Sequence, residues 1–479
     1  MSEFSCPATF ECRRICDALN TQGIEAGFSE TDGCKAPQHF FERDGIVGVE
    51  IPDDLPSQNL KLTTALFEAL SPLVQEKESH SADIAPIVDS YQSILDSRTN
   101  LWTAMGAATK AGRQFTDVEL DYYRSDIEGA QRLGANASGE FSSEDFLRAQ
   151  ASFDHRTLKE HRVVFDEQAI DVLDRLAVNA MDGKSTLLVG DKGIAKTQLA
   201  LFMARFIAGG SEPVFLSGHG DQTADEFIGR DRQDPKTGQF VFKPGKLVNA
   251  MRLGLPVVID EINLADQAIT MRLQDILLRK PGDTFVLQEN GDEVITIAPG
   301  FVVFATANEA SERYRHRVTL DPAFRDRFDV LNVVYPDSDN DNPMLGTPTT
   351  TYRLAFAAAS SEDGSISEYI DPNELEMIVR LAHVTQRLYS QPLMDAQVSS
   401  LGLDTSTSQY LSADKPVMTD CITPRSMVSI LQRCAPGNKI GVTLRGEITK
   451  AIKALDQGGS TNNSMYAHKI LEFYESKMV

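Results

Sequence analysis

Three groups of residues carry chemistry by their type and spacing. The first is Gly190-Asp191-Lys192-Gly193-Ile194-Ala195-Lys196-Thr197, with Gln198 behind it. A glycine-rich loop ending in Lys-Thr aims backbone N–H groups at phosphates, and the helix that follows adds its positive end. Lys196 then neutralises the β- and γ-phosphates of ATP, and the Thr197 hydroxyl ligates Mg2+. The usual pattern has a glycine where Ala195 stands, so the match is one residue short. The second group is Asp260-Glu261, two acids that close the apolar run Pro256-Val-Val-Ile. Asp260 suits a hold on Mg2+ through water, and Glu261 suits a general base for the attacking water. The third group is scattered. Asn308 ends Phe301-Val-Val-Phe-Ala-Thr-Ala307, Arg325 and Arg327 sit in Leu320-Asp-Pro-Ala-Phe-Arg-Asp-Arg-Phe328, and Arg425 follows Thr423-Pro424. An amide at a strand end can orient water, and an arginine facing a γ-phosphate offsets transition-state charge. The same arginines could instead bridge Asp326 or Asp329 on the surface.

These residues need a scaffold, and the texture of the chain supplies one. Continuous apolar runs at 186–189, 214–216, 257–259, 301–305 and 330–334 alternate with helical patterns. Runs of that length predict a parallel sheet buried on both faces. The phosphate loop follows the first run and precedes a helix with Leu199, Leu201, Phe202 and Phe206. Acids and amides at strand ends then fall on the carboxyl edge of the sheet, where ligands bind. The fold class is α/β, a five-stranded P-loop core with a helical C-terminal lid and a mostly helical N-terminal region.

We divide the chain at 1–155, 156–336 and 337–479. In the first part, Ile87, Val88, Tyr91, Ile94 and Leu95 recur at helical spacing behind Ala85-Pro86. A second helix holds Val118, Leu120, Tyr122 and Ile127, and the small residues of 104–112 read as a helix end. A polar Pro/Asn/Asp-rich linker occupies 336–351. Beyond it, one helix starts at Asp371-Pro372 and others follow Pro424 and Gly446, with a polar insertion near 400–416.

Composition bounds the rest. The 479 residues are 42% hydrophobic and 24% charged, a globular balance. Acidic side chains outnumber basic ones 69 to 46, for a net charge of −23, which repels nucleic acid and anionic membranes on average. No apolar run approaches the roughly 18 residues of a membrane span. Met1-Ser-Glu-Phe-Ser-Cys6 lacks the features of a secretion signal. A cytoplasmic location is the expectation. Four of the six cysteines, Cys6, Cys12, Cys16 and Cys34, lie early with His39 nearby. No CxxC pair occurs, so helical packing of Cys12 and Cys16 competes with zinc.

In their order, these elements resemble the AAA+ ATPases. The resemblance makes 190–197 Walker A, 257–261 Walker B, Asn308 sensor 1, Arg325/Arg327 the arginine-finger region and Arg425 sensor 2. Gly-x-x-Gly-x-Ala-Lys-Thr looks like the MoxR group, where the alanine is usual, and Asp260-Glu-Ile-Asn263-Leu-Ala265 is similar to that group's segment. Two inserts fit the helix-2-insert clade, which includes the MoxR-like, dynein-related, midasin-like and chelatase ATPases. One runs from Glu226-Phe-Ile-Gly229 to Pro244-Gly245-Lys246-Leu247 and turns at Pro235-Lys-Thr-Gly238; the other turns at Asn290-Gly291. The resemblance covers about 160–336 strongly, 370–475 loosely, and the first 150 residues not at all.

It implies ATP and Mg2+ as ligands and a homo-oligomer, most often a hexameric ring. Arg327 is the first choice for a finger acting in trans, with Arg325 second, and Arg425 would link the lid to nucleotide state. It also implies remodelling or activation of a protein partner, with a separately encoded von Willebrand A/MIDAS-type protein. Asp404-Thr-Ser406-Thr-Ser408 matches the letters of that metal site, but too little chain follows it for such a domain. The competing class is a nucleic-acid-associated motor or restriction-type NTPase subunit; the acidic balance and lack of a basic, aromatic-interleaved region weigh against it.

Overall fold

The computed structural model describes residues 27–29, 33–35, 40–43, 46–49, 83–137, 141–218, 223–236, 238–308, 320–335, 350–366, 370–390, 420–434 and 443–455. Cys6, Cys12, Cys16, His39, most of the 336–351 linker and the 404–408 segment lie outside the described residues. Packing divides the chain into two compact units. One is Gln92–Leu133 with His161–Val334, and the other is Met1–Tyr91, Gly134–Glu160 and Tyr335–Val479. This grouping differs from a boundary drawn near 155. Much of the first two long helices goes with the α/β core, and the third goes with the C-terminal helices. Which element a long helix packs against is not written in its own composition.

Near the N-terminus, β1 (Gly27–Ser29) pairs with β2 (Gly33–Lys35) and β3 (Phe40–Arg43) with β4 (Ile46–Val49), both antiparallel. The α/β unit is built on five parallel strands: β5 (Thr186–Gly190), β6 (Val214–Ser217), β9 (Val257–Asp260), β12 (Val303–Asn308) and β13 (Asp329–Asn332). Their order across the sheet is β13-β5-β12-β9-β6. Every residue of β5 and β12 is buried, as a sheet covered on both faces requires. All five anticipated strands are present, with bounds shifted by up to three residues.

Helices close on the sheet through regular apolar faces. Glu167–Met181 is capped by the Asp166 carboxylate, which accepts from Ala169 N at 2.7 Å, and it buries Val172, Leu173, Leu176 and Ala180. The Ala85–Ala111 helix ends within the small residues at 104–112, as their composition suggested, and Gly112 follows it in a left-handed conformation at φ +65°. They serve close packing: a Cβ on Gly106 would lie 2.7 Å from the Phe206 carbonyl oxygen of the Lys196–Ala208 helix. One turn earlier, the buried Trp102 ring meets Phe202 and Phe206 edge-on, with both centroids at 6.0 Å. Its indole N–H donates to Asp174 Oδ1 at 2.7 Å, while Arg98 holds Asp174 Oδ2 at 2.8 Å. The N-terminal helix is therefore part of the scaffold behind the phosphate loop.

Two antiparallel hairpins belong to this unit. β7 (Gly229–Gln233) pairs with β8 (Phe240–Pro244), and β10 (Thr284–Leu287) with β11 (Glu293–Thr296). The second is looser than a two-residue Asn-Gly turn. Residues Gln288–Asn290 form a 3-10 turn, and Gly291 and Asp292 are both left-handed, at φ +61° and +62°.

In the other unit, Ala151 from the Ser143–His161 helix shares a core with Tyr352, Phe356, Leu375, Ile378, Met427, Leu431 and Ile448. Buried Asp154 holds Arg353 in a bidentate pair at 2.9 and 2.8 Å. The last described helix, Leu444–Ala454, starts ahead of Gly446, because the Thr443 hydroxyl accepts from Gly446 N at 3.2 Å and caps it. No helix among the described residues is long and apolar enough to cross a membrane.

Candidate active site

Sheet order decides which side chains meet. β12 lies between β5, which ends in the phosphate loop, and β9, which ends in the two acids. Its register sets Asn308 level with Gly190 on one side and Ala305 level with Ile259 on the other. Because the strands are parallel, all three ends open on the same sheet edge. Residues 306 and 308 share a face of the strand, since side chains alternate.

The result is one connected network. Lys196, only 6% exposed, donates from Nζ to the carbonyls of Gly190 (2.8 Å) and Asp191 and to Asn308 Oδ1 (3.0 Å). Asn308 in turn donates through Nδ2 to Glu261 Oε1 at 2.8 Å. On the other branch, the hydroxyls of Thr197 and Thr306 both donate to Asp260 Oδ1, at 2.7 and 2.6 Å. Thr306 Oγ1 also accepts from the Glu261 backbone N–H at 3.0 Å. The first choices for phosphate, metal and water chemistry are thus joined through β12.

Backbone conformation reinforces the arrangement. Ala195 is left-handed (φ 63°, ψ 12°) immediately before the helix. That is where the common loop pattern has glycine, and a Cβ there costs about 1 kcal/mol or more. Glu261 is left-handed as well (φ 52°, ψ 49°). Its carbonyl is backed by Gly218, past the end of β6, where a Cβ would lie 2.1 Å from the Glu261 oxygen. Gly218 N donates to Asp260 O at 2.7 Å, which ties the two strand ends together. Within the rest of the loop, Ile194 is buried and Asp191, Lys192, Gly193 and Gln198 are partly buried.

Sequence reasoning passed over Thr306 and Gly218. A lone hydroxyl in an apolar run, two residues before Asn308, was the available signal for Thr306. Nothing in the sequence marks Gly218. Asn263, noted in the Asp260–Ala265 segment without a role, is 5% exposed, and neither side-chain amide atom has a hydrogen-bond partner among the described residues.

The arginines stand apart from this network. Arg325 and Arg327 flank the turn between the Pro322–Arg325 helix and β13, an edge strand beside β5. Arg325 is exposed, and Arg327 is half-buried, its buried Nε without a hydrogen-bond partner among the described residues. Neither bridges Asp326 or Asp329; Asp329 instead accepts from Asn179 Nδ2 at 2.6 Å. Arg425 is exposed in the first turn of the Pro424–Cys434 helix and belongs to the other compact unit.

A divalent metal can be tested against the donors present. The Thr197 hydroxyl and Asp260 carboxylate are adjacent hard oxygens at the end of a phosphate loop. No group of three or more His, Cys, Asp or Glu that could cage a metal occurs among the described residues. Mg2+ typically takes one or two protein oxygens and completes its shell with substrate phosphates and water, so this donor set fits it.

Residues 185–328 match the family model of the AAA domain, dynein-related subfamily. The chain is similar to the midasin of Giardia intestinalis, 31% identical over 169 residues, which are 35% of this chain and 3% of that protein. It is 35% identical over 147 residues to the midasin of Dictyostelium discoideum, covering 31% of this chain and 2% of that protein. An uncharacterized protein of Staphylococcus epidermidis is 31% identical over 232 residues, 44% of this chain and 85% of that protein. The chain thus spans only a small fraction of the midasins and most of the staphylococcal relative.

Proposed function

The chain belongs to the dynein-related AAA family, and from that premise we propose that it hydrolyses ATP within an oligomer and uses the energy to remodel a polypeptide partner. The observation that carries this reading is the unbroken path Lys196–Asn308–Glu261 beside Thr197–Asp260–Thr306. Backbone N–H groups of 190–197 and Lys196 hold the phosphates. Thr197 and Asp260 would hold Mg2+, which would supply charge neutralisation at the phosphates.

Glu261 takes a proton from water as the water oxygen bonds to the γ-phosphorus, and the bond to the β–γ bridging oxygen breaks, releasing ADP and phosphate. Asn308 positions the Glu261 carboxylate and Lys196 together, so base and phosphate-binding charge keep a set separation. Arg327, with Arg325 as the second candidate, serves the nucleotide of a neighbouring copy, which suits their place beside the edge strand β13. Arg425 links the helical lid to nucleotide state. Ala195 supports a MoxR-type ATPase working with a separate von Willebrand A-type protein.

The test is ATP turnover by full-length protein with Lys196→Ala, Glu261→Gln and Arg327→Ala variants. Lys196→Ala is expected to lose nucleotide binding, and Glu261→Gln to bind ATP without turnover. Mixing Arg327→Ala with Glu261→Gln should restore partial activity, because mixed interfaces pair an intact base with an intact arginine. Wild-type turnover in Glu261→Gln would overturn the base assignment, and no recovery on mixing would overturn the action in trans.

A further inference from the structure

The β7–β8 hairpin carries charge that folding does not account for. In its register Arg230 stands opposite Lys243, Asp231 opposite Phe242, Arg232 opposite Val241 and Gln233 opposite Phe240. Opposed residues share a face and alternate along each strand. One face therefore presents Arg230, Arg232 and Lys243 around Val241, and the other presents Asp231, Gln233, Phe240 and Phe242. All three cations are exposed, and Val241 is 54% exposed. Arg230 has a loose partner in Asp225 at 3.5 Å, whereas Arg232 and Lys243 form no ion pair among the described residues. Like charges directly opposite one another weaken a hairpin. Here they sit together in a chain of net charge −23.

The hairpin is built to project. Phe227 and Ile228 at its base are 1% and 3% exposed, whereas four of the five β7 residues are exposed. Its turn is ordered by Asp234 N to Gln239 O and Gly238 N to Asp234 O, both 2.8 Å. Among the described residues no third strand pairs with either edge of the hairpin.

We propose that this cationic face is a docking surface for an extended acidic segment of a polypeptide partner. Arg230 and Arg232 are two residues apart, so their spacing of about 7 Å matches carboxylates at alternate positions of an extended strand. A strand edge that pairs with such a segment adds main-chain hydrogen bonds that only a polypeptide supplies. The strongly acidic remainder of the surface repels such a segment elsewhere and leaves this face as its landing point. A nucleic-acid strand fits less well. The rings of Phe240 and Phe242 lie on the face opposite the cations, so bases have no stacking platform beside the phosphate contacts.

This inference rests on the reading that the ATPase acts on a polypeptide, and a binding measurement separates the two. Full-length protein is titrated into a short fluorescein-labelled peptide alternating Glu and Thr, a matching Lys–Thr peptide, and labelled oligo-dT, with anisotropy read at rising salt. The wild type is expected to bind the Glu–Thr peptide, more weakly as salt rises. The triple variant Arg230→Glu, Arg232→Glu, Lys243→Glu should lose on the order of tenfold or more in affinity and gain the Lys–Thr peptide. Arg232→Gln alone, which removes charge at an exposed site with little change of length, should lose part of the affinity while melting as wild type. Equal Glu–Thr binding by wild type and triple variant overturns the proposal. So does preference for oligo-dT that is lost in the same variant. Peptide binding without ATP turnover overturns the ATPase reading alone; turnover without peptide binding overturns the docking surface alone.

Discussion

Asn308 donates its side-chain amide to Glu261 across 2.8 Å, while its own oxygen accepts from Lys196 at 3.0 Å. A single side chain thus couples the proposed base to the lysine of the phosphate loop. Asn308→Ala is expected to keep ATP affinity within a few-fold and to lower turnover by about 10–100-fold, less than the roughly 100–10,000-fold expected of Glu261→Gln. Steady-state kinetics beside a fluorescent-nucleotide titration reads both quantities. A loss in affinity alone would show that Asn308 serves binding, not positioning.

Thr306 is 1% exposed, and its hydroxyl joins Asp260 to the Glu261 backbone. Thr306→Val keeps the shape and removes the bridge, at a cost of about 1–2 kcal/mol in chemical denaturation. Asp260 is then less firmly held, so the Mg2+ concentration for half-maximal turnover should rise. Unchanged Mg2+ dependence would show that Thr306 acts only in packing.

Gly218→Ala places a methyl where the Glu261 carbonyl lies, at 2.1 Å for the ideal position. The left-handed turn at Glu261 must then shift. Turnover is expected to fall at least tenfold with nucleotide binding retained, because the phosphate loop leaves a different strand. A fully active Gly218→Ala would show that the turn has slack that the packing does not suggest.

Asp174 anchors both Trp102 and Arg98, so one carboxylate makes two of the contacts that tie the first long helix to the rest of the α/β unit. Asp174→Ala strands a buried indole N–H and is expected to cost about 1–3 kcal/mol. Trp102 is the chain's one tryptophan. Its emission maximum in the folded variant reports whether water has reached the ring, and unchanged emission with unchanged stability would remove the anchoring role.

Asp363 gives the helical unit a pH dependence. Burial works to raise its carboxyl, but hydrogen bonds from Ser365 and Ser361 and the nearby Arg148 outweigh this and hold it well below the usual carboxylate range. A group depressed in the folded state stabilises above its unfolded pKa and loses that contribution as pH falls through the folded value. The loss should therefore begin near about pH 4 and continue below it. Thermal melts between neutral and strongly acidic pH should fall less steeply for Asp363→Asn than for wild type. Parallel curves would show that the carboxylate is energetically silent.

The candidate site was legible in local residue types, because phosphate, metal and water chemistry would need particular groups at particular strand ends. Gly190 to Thr197, Asp260, Glu261 and Asn308 follow apolar runs long enough to be buried parallel strands, and such strands bring their ends to one edge whatever their order. The order itself came only with the tertiary structure. It places β12 between β5 and β9, which turns Thr306 from a strand residue into the link between two acids and leaves Gly218 against Glu261. The small residues of 104–112 read as a helix end, and the helix does end at Ala111; what their composition did not carry is the second backbone packed against Gly106. The same holds for Trp102 and Asp174, whose pairing depends on which helix faces which. Local periodicity sets what each segment becomes; contacts between residues far apart in the chain decide which segments share a core, and those depend on shape that no single segment carries.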